Sequence, residues 1–218
     1  MTTKRLVLTI LVSVVALVIV VAVGLPVYIN YFSPYAPMFA GNRAIAIVGA
    51  LDRTIENKAE YVPPADGLVS ARQIERFVKV EGEVETAIGE GARTIDAVSR
   101  ELTQLQARPE RLTVTAALRS IGTADSVLRR AKQAQVKALN AEAFSKDEFE
   151  WVRQRIYRAA GIELVQLAID DLAHFETPDQ FARIVHRRAG EVPDRDRQQI
   201  DPHRASLERW RGLAFFGL

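Results

Sequence analysis

The stretch LVLTILVSVVALVIVVAVGL, residues 6–25, decides the architecture of this chain. It contains no charged residue and nothing more polar than Thr9 and Ser13. At about 1.5 Å of rise per residue, a helix of this length spans roughly 30 Å, the thickness of a hydrocarbon core. No charge follows until Arg43. We therefore expect an uncleaved, single-pass transmembrane helix.

Basic and aromatic residues flank this apolar run. The positive-inside rule places the basic end, residues 1–5, in the cytoplasm and everything after the helix outside it. Tyrosine and phenylalanine rings just beyond the run suit the headgroup layer. The expected membrane-interface residues are Lys4, Arg5, Tyr28, Tyr31, Phe32 and Tyr35. The predicted location is the inner (cytoplasmic) membrane, with a periplasmic C-terminal domain.

A cleavable signal peptide is the alternative interpretation of the same residues. Its basic start would be Lys4 and Arg5, and Ala22-Val23-Gly24 would offer a small-residue cleavage site. The apolar run is longer than the roughly 7–15 residues of a signal-peptide core, which favours retention of the helix.

The expected order of segments follows from these assignments. Residues 1–5 form the cytoplasmic N-terminus, 6–32 the transmembrane helix with its aromatic belt, and 33–41 an extended stalk broken by Pro34 and Pro37. Residues 42–218 form an extracytoplasmic bundle. Apolar spacing, caps and prolines predict helices over 42–58, 70–107, 112–140, 145–175, 177–190 and from 201 onward. No strand-like alternation occurs outside the anchor, so the predicted fold is an all-α, elongated antiparallel bundle.

The second predicted helix carries a coiled-coil-like repeat. Its apolar residues alternate at spacings of three and four: Phe77, Val84, Ile88, Ile95, Val98, Leu102 and Leu105. Glu81 and Gly91 occupy two positions of this repeat that a packed seam would fill with apolar residues. Glycine in a helix costs up to about 1 kcal/mol relative to alanine, so we expect a bend or break between Gly82 and Gly91.

Composition excludes several classes of function. The chain has no cysteine, which removes disulfides, thiolate metal sites and a cysteine nucleophile. Beyond residue 32 it carries 27 basic and 27 acidic residues, since Lys4 and Arg5 account for two of the 29 basic side chains. A neutral body is not expected to bind nucleic acid.

Catalytic and cofactor motifs are missing from the sequence. The nearest approach to chemistry is Asp170, Asp171 and His174, which helical spacing would place on one face. A di-metal bundle needs a Glu-x-x-His motif on each of two helices, and none occurs. We therefore expect no enzyme, no metal and no cofactor.

Two C-terminal features are candidate partner-binding sites. The basic cluster around Arg187 and Arg188 is either a solvated face or a contact for lipid headgroups or an acidic partner. The apolar tail with Phe215 and Phe216 either packs back on the bundle or docks on a partner or the membrane surface.

These features favour a non-catalytic accessory subunit that scaffolds or stabilises a larger membrane protein complex through its periplasmic domain. The expected partners are the membrane, other complex subunits and lipid, in an energy-transducing host such as a photosynthetic reaction centre. The alternative is a membrane-tethered periplasmic chaperone or ligand-binding module. A sensor domain is disfavoured, because five residues before the anchor leave no cytoplasmic output.

Overall fold

A computed structural model describes residues 36–106, 114–162, 165–167, 185–187 and 194–218. The helices are α1 (Ala36–Asp52), α2 (Ala71–Ile88), α3 (Ala92–Gln106), α4 (Val114–Thr123), α5 (Asp125–Ala141), α6 (Lys146–Ala159), α7 (Asp194–Ile200), α8 (Arg204–Arg209) and α9 (Arg211–Phe215). Two short strands, β1 (Val165–Leu167) and β2 (Val185–Arg187), pair antiparallel with Gln166 opposite His186. The prediction of a helical bundle is confirmed.

The predicted transmembrane helix and aromatic belt, 6–32, lie outside the described residues. Within the described ranges, no helix combines the length and the apolar character that crossing a bilayer requires.

The helices share one hydrophobic core. α1 packs on α4 and α5, α2 packs on α5 and α6, and α9 packs against α3. The small residues of the predicted third helix, Ala117, Ala124 and Ala131 among them, are buried in this core. α1 and α4 approach closely, because a Cβ on Gly41 of α1 would lie 2.1 Å from the carbonyl oxygen of Leu118 in α4.

The alternating repeat in the second predicted helix correctly identifies its buried face. Phe77, Val84 and Ile95 are fully buried, and so is Glu81, which holds a seam position despite its charge. The predicted break is confirmed as well, because the 3-10 turn Gly89–Gly91 separates α2 from α3. Gly89 has a φ of 51°, which favours glycine, and a Cβ on Gly91 would lie 2.7 Å from Val127.

The stalk prediction is wrong from residue 36 onward. α1 begins at Ala36 rather than at residue 42, so residues 36–41 are helical and not extended. Pro37 lies in the first turn, where its missing N–H has no helical partner to lose, so it does not prevent the helix. α1 also ends at Asp52, six residues before the predicted boundary.

The predicted third helix is two helices. Ala124 has φ −105° and ψ 4° and separates α4 from α5. Just before this residue, the hydroxyls of Ser120 and Thr123 donate to the carbonyl oxygens of Ala116 and Ser120. Such side-chain bonds to the backbone, together with Gly122, weaken the helix at this point.

The predicted fourth helix stops earlier than residue 175. α6 ends at Ala159, and Gly161 then adopts a φ of 71°. The N–H of Ile162 donates to the carbonyl of Tyr157, and that of Gly161 to Arg158, which is the Schellman arrangement. Strands β1 and β2 replace helix within the predicted segments 145–175 and 177–190. Each has only three residues, too few for an alternating pattern to be recognised.

The C-terminal region is helical from Asp194 rather than from residue 201. α7, the 3-10 turn Asp201–His203, α8 and α9 follow one another with short interruptions. Leu207 and Trp210, the two apolar residues that the sequence assigns to this region, are both buried.

Candidate functional site

The C-terminal tail packs on the bundle. Phe215, Phe216 and Leu218 are buried, and the two phenylalanine rings meet edge to face at 5.0 Å. A second Schellman arrangement closes the chain: Leu218 N–H donates to Leu213, and Gly217, with a φ of 75°, donates to Ala214. The rings of Phe215 and Phe216 are therefore packed on the bundle, which is the first of the two alternatives for this tail.

The other predicted site residues lie largely outside the description. The six membrane-interface residues, Arg188 and the trio Asp170, Asp171 and His174 fall in undescribed segments. Arg187 is described only through its backbone, in β2. Among the described residues, no group of three or more histidine, aspartate or glutamate side chains could hold a metal ion.

A surface cleft of about 380 Å³ lies where the end of α1 meets the start of α6. Its walls carry three cationic side chains, from Arg53, Lys58 and Lys146, and two anionic ones, from Asp52 and Asp147. The hydroxyl of Ser145 caps α6 by accepting from the N–H of Glu148 at 3.2 Å, as the sequence predicts. The cleft is thus an opening whose walls are about equally polar and apolar, with one excess positive charge.

A chain of ion pairs and hydrogen bonds starts at Asp52, one of the residues that line the cleft. We call Asp52, Lys132 and Gln135 the floor cluster. Asp52 accepts ion pairs from Lys132 and, at 3.1 Å, from Lys146. Lys132 Nζ donates to Gln135 Oε1 at 2.8 Å, and Gln135 Nε2 donates to the carbonyl oxygen of Gly217 at 3.0 Å. The floor cluster therefore ties α1 and α5 to the C-terminal tail.

In the floor cluster, the buried Lys132 ammonium is in direct contact with the Asp52 carboxylate, which balances its charge. Burial lowers the pKa of Lys132 below its ordinary value, while the Asp52 carboxylate opposes that shift. A buried ammonium is tolerated when a carboxylate and a hydrogen-bond acceptor meet it directly. Both are present here.

A second set of buried polar side chains lies between α2 and α6. We call Glu81, Arg153 and Tyr157 the internal cluster, and all three are fully buried. Their polar atoms have no hydrogen-bond partner among the described residues. This holds for both Glu81 carboxylate oxygens, the three Arg153 guanidinium nitrogens and the Tyr157 hydroxyl. Their surroundings are aromatic: Phe77 lies 5.6 Å from Phe149 and 6.3 Å from Tyr157.

The pKa values of the internal cluster follow from its burial. Burial raises the pKa of Glu81 to about 8, against the lowering effect of Arg153, and Glu85 raises it further. Burial also raises the pKa of Tyr157 well above its ordinary value, and the Glu81 charge acts in the same direction. Both groups therefore favour their neutral forms near pH 7.

Sequence reasoning noticed one member of these clusters and missed the rest. Glu81 stands out as a charge at a seam position of the apolar repeat, but its spacing alone does not predict a buried polar cluster. Arg153 lies four residues after Phe149 and three before Ile156, a spacing that places it on the buried face of α6. In α5, Lys132 lies four residues after Leu128, and Gln135 lies four residues before Leu139. This spacing places both on the buried face of the helix. A charge at core spacing was the available signal.

Comparison with known proteins adds no assignment to these sites. No protein-family model, no curated protein and no solved structure matches the chain.

Proposed function

We propose that the chain is a non-catalytic accessory subunit, anchored in the cytoplasmic membrane by residues 6–32. Its helical body would lie in the periplasm and scaffold or stabilise a larger membrane protein complex, such as an energy-transducing assembly. The observation that carries the proposal is the seating of α1, the first helix after the predicted anchor, in the core of the body.

α1 is not a free linker. Its residues Ala44, Ile45 and Val48 are buried against the bundle. Gly41 approaches the Leu118 carbonyl so closely that no Cβ fits between them. Ala36 lies four residues after position 32, and an extended chain over that interval reaches about 14 Å at most. Such an arrangement would hold the body close to the membrane surface.

Polar contacts on both sides of α1 strengthen this attachment. On α1 itself, Arg43 pairs with Asp125 at 3.0 Å, and Asp125 also pairs with Arg129 at 3.1 Å. After α1, the Asn140 side chain accepts from Glu56 N–H and donates to the Thr54 carbonyl. The chain that leaves the predicted anchor is therefore held at several points before α2 begins. A scaffold needs this kind of fixed orientation.

The test is blue-native electrophoresis of the full chain, after gentle solubilisation of the membranes that normally contain it. The proposal predicts migration in a complex much larger than the monomer. A chain that migrates alone as a monomer contradicts it.

A matched pair of insertions tests the role of the α1 attachment. Eight Gly/Ser residues inserted between Ser33 and Pro34 add about 16 Å of flexible reach while leaving the body's contacts in place. We expect the complex to weaken. The same insertion between Pro64 and Ala65, in an exposed loop after α1, is the control and is expected to leave the complex intact.

The cleft favours a ligand-binding module as the second candidate. Its volume lies within the range of about 300–1,000 Å³ that is typical of small-molecule sites. The excess positive charge favours a small anion. Thermal unfolding with and without inorganic phosphate tests this: stabilisation that is lost on Lys58→Ala supports the module, and no stabilisation contradicts it. The chaperone variant needs a concave apolar surface, and only about half of the cleft wall is apolar.

A further inference from the structure

The internal cluster places one carboxyl and one guanidinium in the same apolar core without direct contact. No ion pair within 4.0 Å joins Glu81 to Arg153 in the described part of the chain. An ionised carboxylate in that environment would need donors that the surrounding side chains do not supply. A protonated carboxyl avoids most of that penalty, so the geometry favours the neutral acid.

The neighbouring charges also determine the state of Glu81. On α2, Glu85 lies one turn further along and accepts from the Trp210 indole N–H at 2.7 Å and from Arg209 at 3.4 Å. From α6, Arg153 is the one charge whose field favours ionisation of Glu81. The Lys132 ammonium on α5 and the Arg153 guanidinium repel each other, and the Glu208 carboxylate on α8 raises the pKa of Tyr157. The neighbouring charges therefore act on the pKa of Glu81 in both directions, and burial is the largest contribution.

We propose that Glu81, Arg153 and Tyr157 form an internal proton-binding site, in which folding at neutral pH captures a proton on Glu81 and alkaline pH removes it and loosens the contact between α2 and α6. The site is separate from the proposed anchor and from the cleft. It makes the folded body itself the pH-sensitive element.

The direction of the pH effect follows from linkage. The pKa of Glu81 is about 8 in the folded chain against an ordinary value of 4.5, so the folded state binds the proton more tightly. Its contribution to stability is fully present below about pH 4.5 and is lost as the pH rises through 8. Between those values the folding equilibrium constant falls about tenfold per pH unit because of this group.

Glu81→Gln tests the site because an amide of the same shape cannot titrate. Thermal unfolding of the full chain in a mild detergent is followed by tryptophan fluorescence from pH 5 to pH 9. Near pH 5 the variant and the wild type are expected to be about equally stable. Above pH 5, the ratio of the variant's folding equilibrium constant to that of the wild type should rise about tenfold per pH unit, up to about pH 8.

Glu83→Gln is the matched control, because Glu83 lies on α2 two residues away and is exposed. Its difference from the wild type is expected to stay constant with pH. Subtracting wild type from variant also removes the effects of Asp96 and Asp196, whose pKa values burial raises in the same direction. A Glu81→Gln variant that is less stable than the wild type by the same factor at every pH overturns the proposal, because Glu81 would then be an ionised partner of Arg153.

Proton counting on the wild-type chain gives an independent test that needs no variant to fold. Unfolding is measured calorimetrically at pH 7 in two buffers of different ionisation enthalpy. The proposal predicts that unfolding releases about one proton per chain from this group. Absence of any proton release overturns it.

Discussion

The floor cluster and the internal cluster have similar composition and opposite surroundings. Each contains a buried cation and a carboxylate, yet ion pairs and hydrogen bonds join the floor cluster, whereas the polar atoms of the internal cluster have no hydrogen-bond partner among the described residues. The reason lies in where they sit. The floor cluster begins at Asp52, the last residue of α1, and Gln135 of α5 reaches the carbonyl of Gly217 in the tail, beyond the last helix. The internal cluster lies within α2 and α6, where helical hydrogen bonds already use the backbone groups.

The largest effect is expected from removing the carboxylate of the floor cluster. Asp52→Ala leaves Lys132 buried with Gln135 as its remaining partner, and breaking a buried pair in this way costs about 3 kcal/mol or more. For a chain of this size that lowers the Tm by roughly 6–12 °C. Thermal unfolding followed by tryptophan fluorescence measures it. Arg53→Ala, at the exposed neighbouring position, is the control, and an equal loss in both variants would contradict the account.

Replacing the two buried cations by methionine should act in opposite directions. Lys132→Met leaves the Gln135 carbonyl unpaired and is expected to cost about 2 kcal/mol. Arg153→Met removes a charge that has no hydrogen-bond or ion-pair partner among the described residues and is expected to stabilise by about 1 kcal/mol. Chemical denaturation at pH 7 compares the two free energies of unfolding. Equal losses would show that Arg153 is paired as well as Lys132 is.

A smaller effect is expected where the floor cluster meets the tail. Gln135→Met removes the bond to the Gly217 carbonyl and the acceptor for Lys132, and should cost about 1 kcal/mol. Gln133→Met, on the exposed side of α5, is the matched control. Hydrogen exchange of the last residues should rise in the first variant and stay unchanged in the second. An unchanged tail in both would separate the floor cluster from the C-terminus.

The smallest effect is expected at Tyr157. Its hydroxyl has no partner among the described residues, so Tyr157→Phe should change the free energy of unfolding by less than about 0.5 kcal/mol. Thermal unfolding at pH 7 again provides the measurement. A loss of about 1.5 kcal/mol would instead indicate a hydrogen bond to this hydroxyl.

Local signals predicted much of this fold. Ser70 and Gln73 form the reciprocal capping box that their spacing indicates, with Gln73 N–H donating to Ser70 Oγ at 3.2 Å and Ser70 N–H donating to Gln73 Oε1 at 3.1 Å. Phe144 and Phe149 pack edge to face at 5.7 Å around the Ser145 cap. Each of these features is formed by residues three to five positions apart, so local spacing is enough to predict it.

Features that depend on distant partners were not predictable from spacing. Glu148 lies in the first turn of α6, yet its side chain accepts from Arg76 on α2 at 3.0 Å. The floor cluster joins residues 52, 132 and 217, and no local pattern connects them. The end of α6 is a different case: Ala160-Gly161 carries the usual signal for a helix stop, and the longer apolar periodicity concealed it.

The account depends most on the retention of residues 6–32 in a membrane, and one fractionation experiment tests that directly. The full chain is expressed in a Gram-negative bacterium, and its membranes are extracted with alkaline carbonate. The account predicts that the chain stays in the membrane pellet and that protease degrades its body in spheroplasts but not in intact cells. A variant with Val14→Arg and Leu17→Arg, each costing about 3 kcal/mol at the centre of a span, should be released. A wild-type body recovered in the soluble fraction, processed near residue 25, would contradict the account.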